Sequence, residues 1–225
     1  MEERDVVPED LEQIDALIED GAFDEALKRH LWFYEASRTT PGMGGVRLSY
    51  ALDSWLTLAQ LYQPAMDALV ETKDRNKHAL IDGHGAFDEF HDVYAINHYL
   101  ENESETYDVF ASLHENYPDL ARRCYTVVQE LLIERGEYDL CASYIDNPLK
   151  QYKKIERLHR VNLNYAAKRV GPGDREFDEW TRESYVSQVT QLIEILSRSS
   201  NSGVAKQVQS RALSYMDSTE IRDAI

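Results

Sequence analysis

The chain has 225 residues, 43% of them hydrophobic, enough to bury a substantial core in one elongated domain or two small ones. Its 41 acidic residues against 24 basic ones leave a formal charge of -17, a field that opposes nucleic acid and anionic membrane as partners. The opening MEERDVVPEDLEQ is charged where a secretory signal is apolar, and no run reaches about 18 apolar residues, so a soluble, cytoplasmic protein is expected.

Alternating strand patterns bounded by hairpin turns do not occur. Helical spacing is continuous. Pro8 opens the first predicted helix, 8–19, at the position where a missing N–H costs no hydrogen bond. In the second, 23–38, Phe23, Ala26, Leu27, Leu31 and Tyr34 recur at three- and four-residue steps and are expected on a core. TTPGMGG reads as a loop, with GMGG at 42–45 a flexible linker to the next helix, 46–61. Pro64 opens 64–80, and helices follow at 86–100 and 103–115, the latter preceded by Asn102 and Glu105 at capping-box spacing. Pro118 opens 118–135, where Leu120, Cys124, Val127, Val128 and Leu131 share a face. After 137–145, Asn147 is placed to cap a long helix that Pro148 opens, 148–169. VGPGD reads as a loop before 175–198 and 202–215, and the chain is expected to fray beyond 216. Short connections make successive helices antiparallel, so the prediction is all-α: an array of antiparallel pairs with ten or eleven helices. Cys124 and Cys141 both fall in helices and read as small core residues rather than a disulfide or metal knuckle.

A short motif repeats. DGAFDEAL at 20–27 recurs as HGAFDEF at 84–90 and more loosely as RGEYDLC at 135–141. Glycine suits the left-handed residue that ends a helix, and the aromatic two positions later wedges the next helix against it. Gly21, Gly85 and Gly136 are 64 and 51 residues apart, an irregular spacing. LIEDGAFDEALKRHLWF resembles the junction of a tetratricopeptide repeat, with Gly21 in the turn and Phe23 and Ala26 opening the second helix. LLIERGEYDLCASYI is similar, with Leu132, Gly136, Tyr138 and Cys141 in matching places, and LAQLYQPAMDAL shares the rhythm without the turn glycine. The likeness lies in pieces across 1–146 and lacks the family's roughly 34-residue period. It implies a tetratricopeptide-like α-solenoid over 1–146, with 147–225 as C-terminal helices packed on the same array. It also implies a scaffold that holds a partner protein or peptide in a groove, without cofactor.

Two constellations carry candidate chemistry. His84, Asp88, His91, Asp92 and His98 place carboxylates and imidazoles near one helix, where Asp88, His91, Asp92 and His98 could converge on a divalent metal. Against this, aspartate near a helix start is what the helix dipole favours. In the helix from 148, Lys153, Arg157, Arg160, Asn164 and Lys168 fall in a stripe about 80° wide, opposite Tyr152, Ile155, Leu163 and Ala166. Such a stripe is an anion-binding strip for a partner's carboxylates or phosphates, or simply a solvated face. The aromatics Trp32, Phe33, Tyr34, Tyr50, Trp55 and Tyr62 read as core between helix pairs ahead of an interaction hot spot.

No serine sits in a strand-to-helix elbow, and GMGG lacks the lysine of a phosphate loop, so catalytic motifs are wanting. Charge is divided along the chain. Residues 1–149 hold 31 acids and 11 bases, a net of -20, and 150–225 hold 10 acids and 13 bases, a net of +3. The leading expectation is therefore a non-enzymatic protein–protein interaction module with an unidentified protein or peptide partner. An acidic inhibitor or immunity-type protein that neutralises a basic toxin is the alternative suggested by the charge, and a metal-dependent hydrolase at the histidine cluster is the second.

Overall fold

The computed structural model describes residues 4–166 and 174–225, whose regular elements are all helices, with no strand. In chain order the helices are α1 Pro8–Glu19, α2 Phe23–Ala36, α3 Gly44–Leu48, α4 Tyr50–Leu61, α5 Gln63–Ile81 and α6 Phe87–Tyr99. Then follow α7 Glu103–Asn116, α8 Pro118–Glu134, α9 Tyr138–Ser143, α10 Pro148–Ala166, α11 Asp174–Arg198, α12 Ser202–Tyr215 and α13 Thr219–Arg222. Pro8, Pro118 and Pro148 stand first in their helices and Pro64 second. Asn147 caps as its position predicts, its Oδ1 accepting the Lys150 N–H at 2.9 Å.

One closure recurs at helix ends. Gly21, Gly83 and Gly136 each adopt φ near +75°, at 74°, 76° and 76°. The next residue's N–H then donates to the carbonyl five positions back: Ala22 to Leu17, His84 to Ala79 and Glu137 to Leu132, each at 2.9 Å. Glu101, at φ 53°, closes α6 in the same way without glycine, as Asn102 donates to Asn97 at 2.8 Å. The repeated motif therefore hides two roles. Gly83, not Gly85, is the left-handed residue in its second copy, while a Cβ on Gly85 would stand 2.8 Å from the Leu80 backbone nitrogen.

Four local expectations give way to tertiary contacts. The helix predicted over 46–61 breaks at Ser49, whose φ of -128° and ψ of -92° divide α3 from α4. GMGG is not a linker: Gly44 and Gly45 begin α3, and Met43 and Arg47 are buried. Asn102 and Glu105 form no capping box, because the Glu105 carboxylate accepts from Lys73 Nζ at 2.5 Å and Lys77 Nζ at 2.7 Å instead. Beyond 216 the chain turns into α13, where Ser218 Oγ accepts the Ile221 N–H at 3.4 Å and the Ile221 side chain is fully buried.

The chain forms two compact units, residues 1–128 and 129–225. The break lies inside α8, and α9 packs on α11 with the C-terminal helices. The first unit holds 26 acids and 10 bases, a net of -16, and the second 15 acids and 14 bases, a net of -1. Within the first, α1 packs on α2 and α4, α4 on α5, and α5 on α6 and α7. Its core gathers Ile14, Phe33, Tyr34, Leu52, Leu58, Leu69 and Ile96 around Trp55. Trp55 Nε1 donates to the Ala65 carbonyl at 3.0 Å, and Tyr34 meets the indole edge-on at 5.4 Å. The α2 face is turned from the expected one. His30 is buried, stacked on Trp55 at 5.8 Å, and Leu31 is exposed. Of the aromatic series, Phe33, Tyr34 and Trp55 are core, Trp32 and Tyr62 edge it, and Tyr50 is 69% exposed. In the second unit α11 is central, with α9, α10, α12 and α13 against it and Tyr185, Val189, Ile193, Leu196 and Val208 at the core.

Candidate functional site

The long helix α10 is fixed by its inner face. Tyr152, Ile155, His159 and Ala166 are buried. The Tyr152 hydroxyl lies 3.3 Å from that of Tyr185, and His159 Nδ1 lies 2.9 Å from the Tyr215 hydroxyl. Burial holds the His159 imidazole below its ordinary pKa. Because four inner side chains are seated, the outer face presents a defined pattern rather than a rotating one.

Lys153, Arg157, Arg160 and Asn164 all point outward and are exposed, in the row expected; Lys168 lies outside the described residues. Arg160 is tied on one side, donating to Glu156 at 2.6 Å and lying 5.1 Å over the Tyr215 ring. Leu163 departs from the expected inner face and is 40% exposed.

A second row was not singled out from sequence. Leu158, Val161 and Tyr165, exposed by 49%, 54% and 53%, recur at i, i+3 and i+7. At 100° per residue they occupy a band about 60° wide that borders the basic row on its Arg157 side. The row continues onto α11, where Phe177 meets Tyr165 edge-on at 5.9 Å and stacks on Trp180 at 5.5 Å. Trp180 is 53% exposed. The signal lay in the apolar spacing of 158, 161 and 165, which falls outside the stripe that faces the core.

No protein-family model, curated protein or solved structure matches the chain. Assignment of a role therefore rests on the residues themselves.

The residues proposed for a metal do not converge. Among the described residues no group of three His, Cys, Asp or Glu side chains is placed to hold a metal ion. Asp92 is fully buried and bound by Arg38 and Arg47, with Asn76 Nδ2 donating to it at 3.1 Å. His91, a neighbour on the same helix, packs on Phe87 at 5.4 Å, and burial together with Arg47 lowers its pKa. His98 is exposed and lies 3.7 Å from Glu103. His84 and Asp88 sit at the α5–α6 turn and in the first turn of α6.

The Asp92 cluster is instead a buried ion network that joins four segments. Arg38 follows α2, Arg47 comes from α3, and Asn76 from α5, while Glu89 of α6 accepts from Arg38 at 2.8 Å. Arg47 also lies 4.9 Å over the Tyr34 ring. Burial raises the Asp92 carboxyl, and the two guanidinium groups oppose that shift. Both cysteines are buried without a disulfide, and burial pushes the Cys124 thiol up to about 12.

Proposed function

We propose that this chain is a non-enzymatic protein-interaction module, an irregular tetratricopeptide-like stack of helical hairpins whose α10 face receives an acidic, partly apolar segment of a partner protein. The glycine closures at Gly21, Gly83 and Gly136 support the hairpin reading, since each joins two helices by the same local geometry.

One observation carries the interaction reading. A helix face that serves only to meet water has no use for three half-exposed apolar side chains in a row, and α10 sets Leu158, Val161 and Tyr165 beside Lys153 and Arg157. Covering the remaining area of each apolar side chain is worth about 1 kcal/mol. The basic row adds orientation and on-rate for an acidic segment more than raw affinity.

The test is site-specific photo-crosslinking in the native host, with a photoreactive phenylalanine analogue at Val161 and, as control, at exposed Gln207 of α12. A specific adduct from position 161 that disappears on Arg157→Glu supports the reading. Equal labelling from 161 and 207, or an adduct indifferent to Arg157→Glu, overturns it.

A further inference from the structure

The first unit has an open groove of about 610 Å³ along the seam between α1 and α4. Its apolar floor is Leu11, Ile18, Val46 and Tyr50. Glu12, Asp15, Glu19 and Asp53 stand along its walls, and no lysine, arginine or histidine lines it. The unit's net charge of -16 reinforces that local field. Asp15 is held in place by the Ser54 hydroxyl, which donates to it and lies 3.0 Å from His30 Nε2. Tyr50 is 69% exposed and lines the groove.

The walls are helices, whose backbone groups are spent on their own hydrogen bonds. An extended strand would find no edge to pair with, so recognition here is by side chains alone. From Pro8 to Glu19 α1 is about 16 Å long, three turns, which matches a short helix laid in the seam.

We propose that this groove docks a cationic amphipathic helix of a partner protein. Apolar side chains at i, i+4 and i+7 of the guest seat on Leu11, Ile18, Val46 and Tyr50, and its flanking lysines and arginines pair with Glu12, Asp15, Glu19 and Asp53. The groove belongs to the first unit and α10 to the second, and the two proposals rest on different residues, so either can fail without the other.

The probe is a fluorescein-labelled, stapled 14-residue helix with leucine at i, i+4, i+7 and i+11 and lysine or arginine elsewhere, titrated by anisotropy with the full chain at physiological salt. A scrambled peptide of equal composition, with its leucines spread round the helix, is the control. The patterned peptide binds about tenfold tighter than the scrambled one, Tyr50→Ser weakens it about fivefold, and Glu12→Lys with Glu19→Lys about thirtyfold. Asp67→Lys with Glu71→Lys, the same charge change on exposed positions of α5, leaves it within about twofold. The altered side chains are exposed, and an unchanged circular dichroism spectrum confirms folding of each variant. Equal binding of the scrambled peptide, equal loss in the α5 variant, or no effect of Tyr50→Ser overturns the proposal.

Discussion

Replacing Asp92 by Asn removes one negative charge and almost no volume, yet it should be among the costliest single changes in the first unit. Arg47 is 5% exposed, and Asp92 is its only carboxylate partner among the described residues. Arg38, 18% exposed, keeps Glu89 at 2.8 Å and Glu35 at 3.8 Å. Asp92→Asn thus strands one buried cation fully and the other in part, for a cost of about 3–5 kcal/mol. Arg47→Met should cost less, about 1–2 kcal/mol, because Asp92 retains Arg38 and Asn76 and the methionine stem fills much of the guanidinium's path. The two changes together should cost less than their sum by about 2 kcal/mol, since the double variant leaves no unpaired Arg47 charge. Urea unfolding followed by tryptophan fluorescence measures this. A Trp180→Phe background confines the signal to Trp32 and Trp55 of the first unit. A cost below about 1 kcal/mol for Asp92→Asn, or strict additivity in the cycle, would refute the view that this network is a paired buried ion cluster.

His30 gives a pH prediction. Its burial lowers the imidazole from its ordinary 6.5 to about 4, so on acidification the unfolded chain takes up a proton that the folded chain refuses. Stability from this residue is complete above 6.5 and lost as pH falls toward 4, about 2 kcal/mol between pH 7.5 and 5. His30→Gln should flatten that segment of the stability–pH curve, and an unchanged slope counts against the assignment. Two glycines of the same sequence motif should differ in cost. Gly21→Ala has open space and only the left-handed backbone to overcome, about 1 kcal/mol, whereas Gly85→Ala must push a Cβ against the Leu80 backbone, about 2–3 kcal/mol. Thermal melts of both variants decide it, and equal costs would mean the motif has one role. Glu101→Gly relieves a left-handed glutamate and should stabilise by about 0.5 kcal/mol, read as a rise in the melting temperature.

The helices and most of their ends were legible in the sequence because they are decided within a turn of chain. Proline at a first position, Asn147 reaching Lys150, and glycine at Gly21 and Gly136 each act on backbone groups a few residues away. Apolar spacing also announced the buried face of α8 and the inner face of α10 through Tyr152 and Ile155. Where two local readings competed, distant partners chose between them. GMGG looked like a linker by composition, yet burying Arg47 against Asp92, 45 residues later, makes a short helix of the following segment. Glu105 looked like a capping residue until Lys73 and Lys77 claimed its carboxylate.

The candidate surfaces divide in the same way. Lys153, Arg157, Arg160 and Asn164 share a face by helical geometry alone, so sequence could place that row. It could not decide whether Leu158 and Val161 meet a neighbour or water, because periodicity marks apolar faces without naming what covers them. Nor could it join Glu12, Asp15 and Glu19 to Tyr50 and Asp53 across the α1–α4 seam, since that depends on which helices pack together. Asp92 shows the limit most clearly: beside His91 in sequence it resembles a metal ligand, and only the arrival of Arg38 and Arg47 from other segments makes it a buried counter-ion. Short-range backbone chemistry is written in neighbouring residues, whereas the fate of a side chain's charge is set by the groups that folding brings within a few ångströms of it.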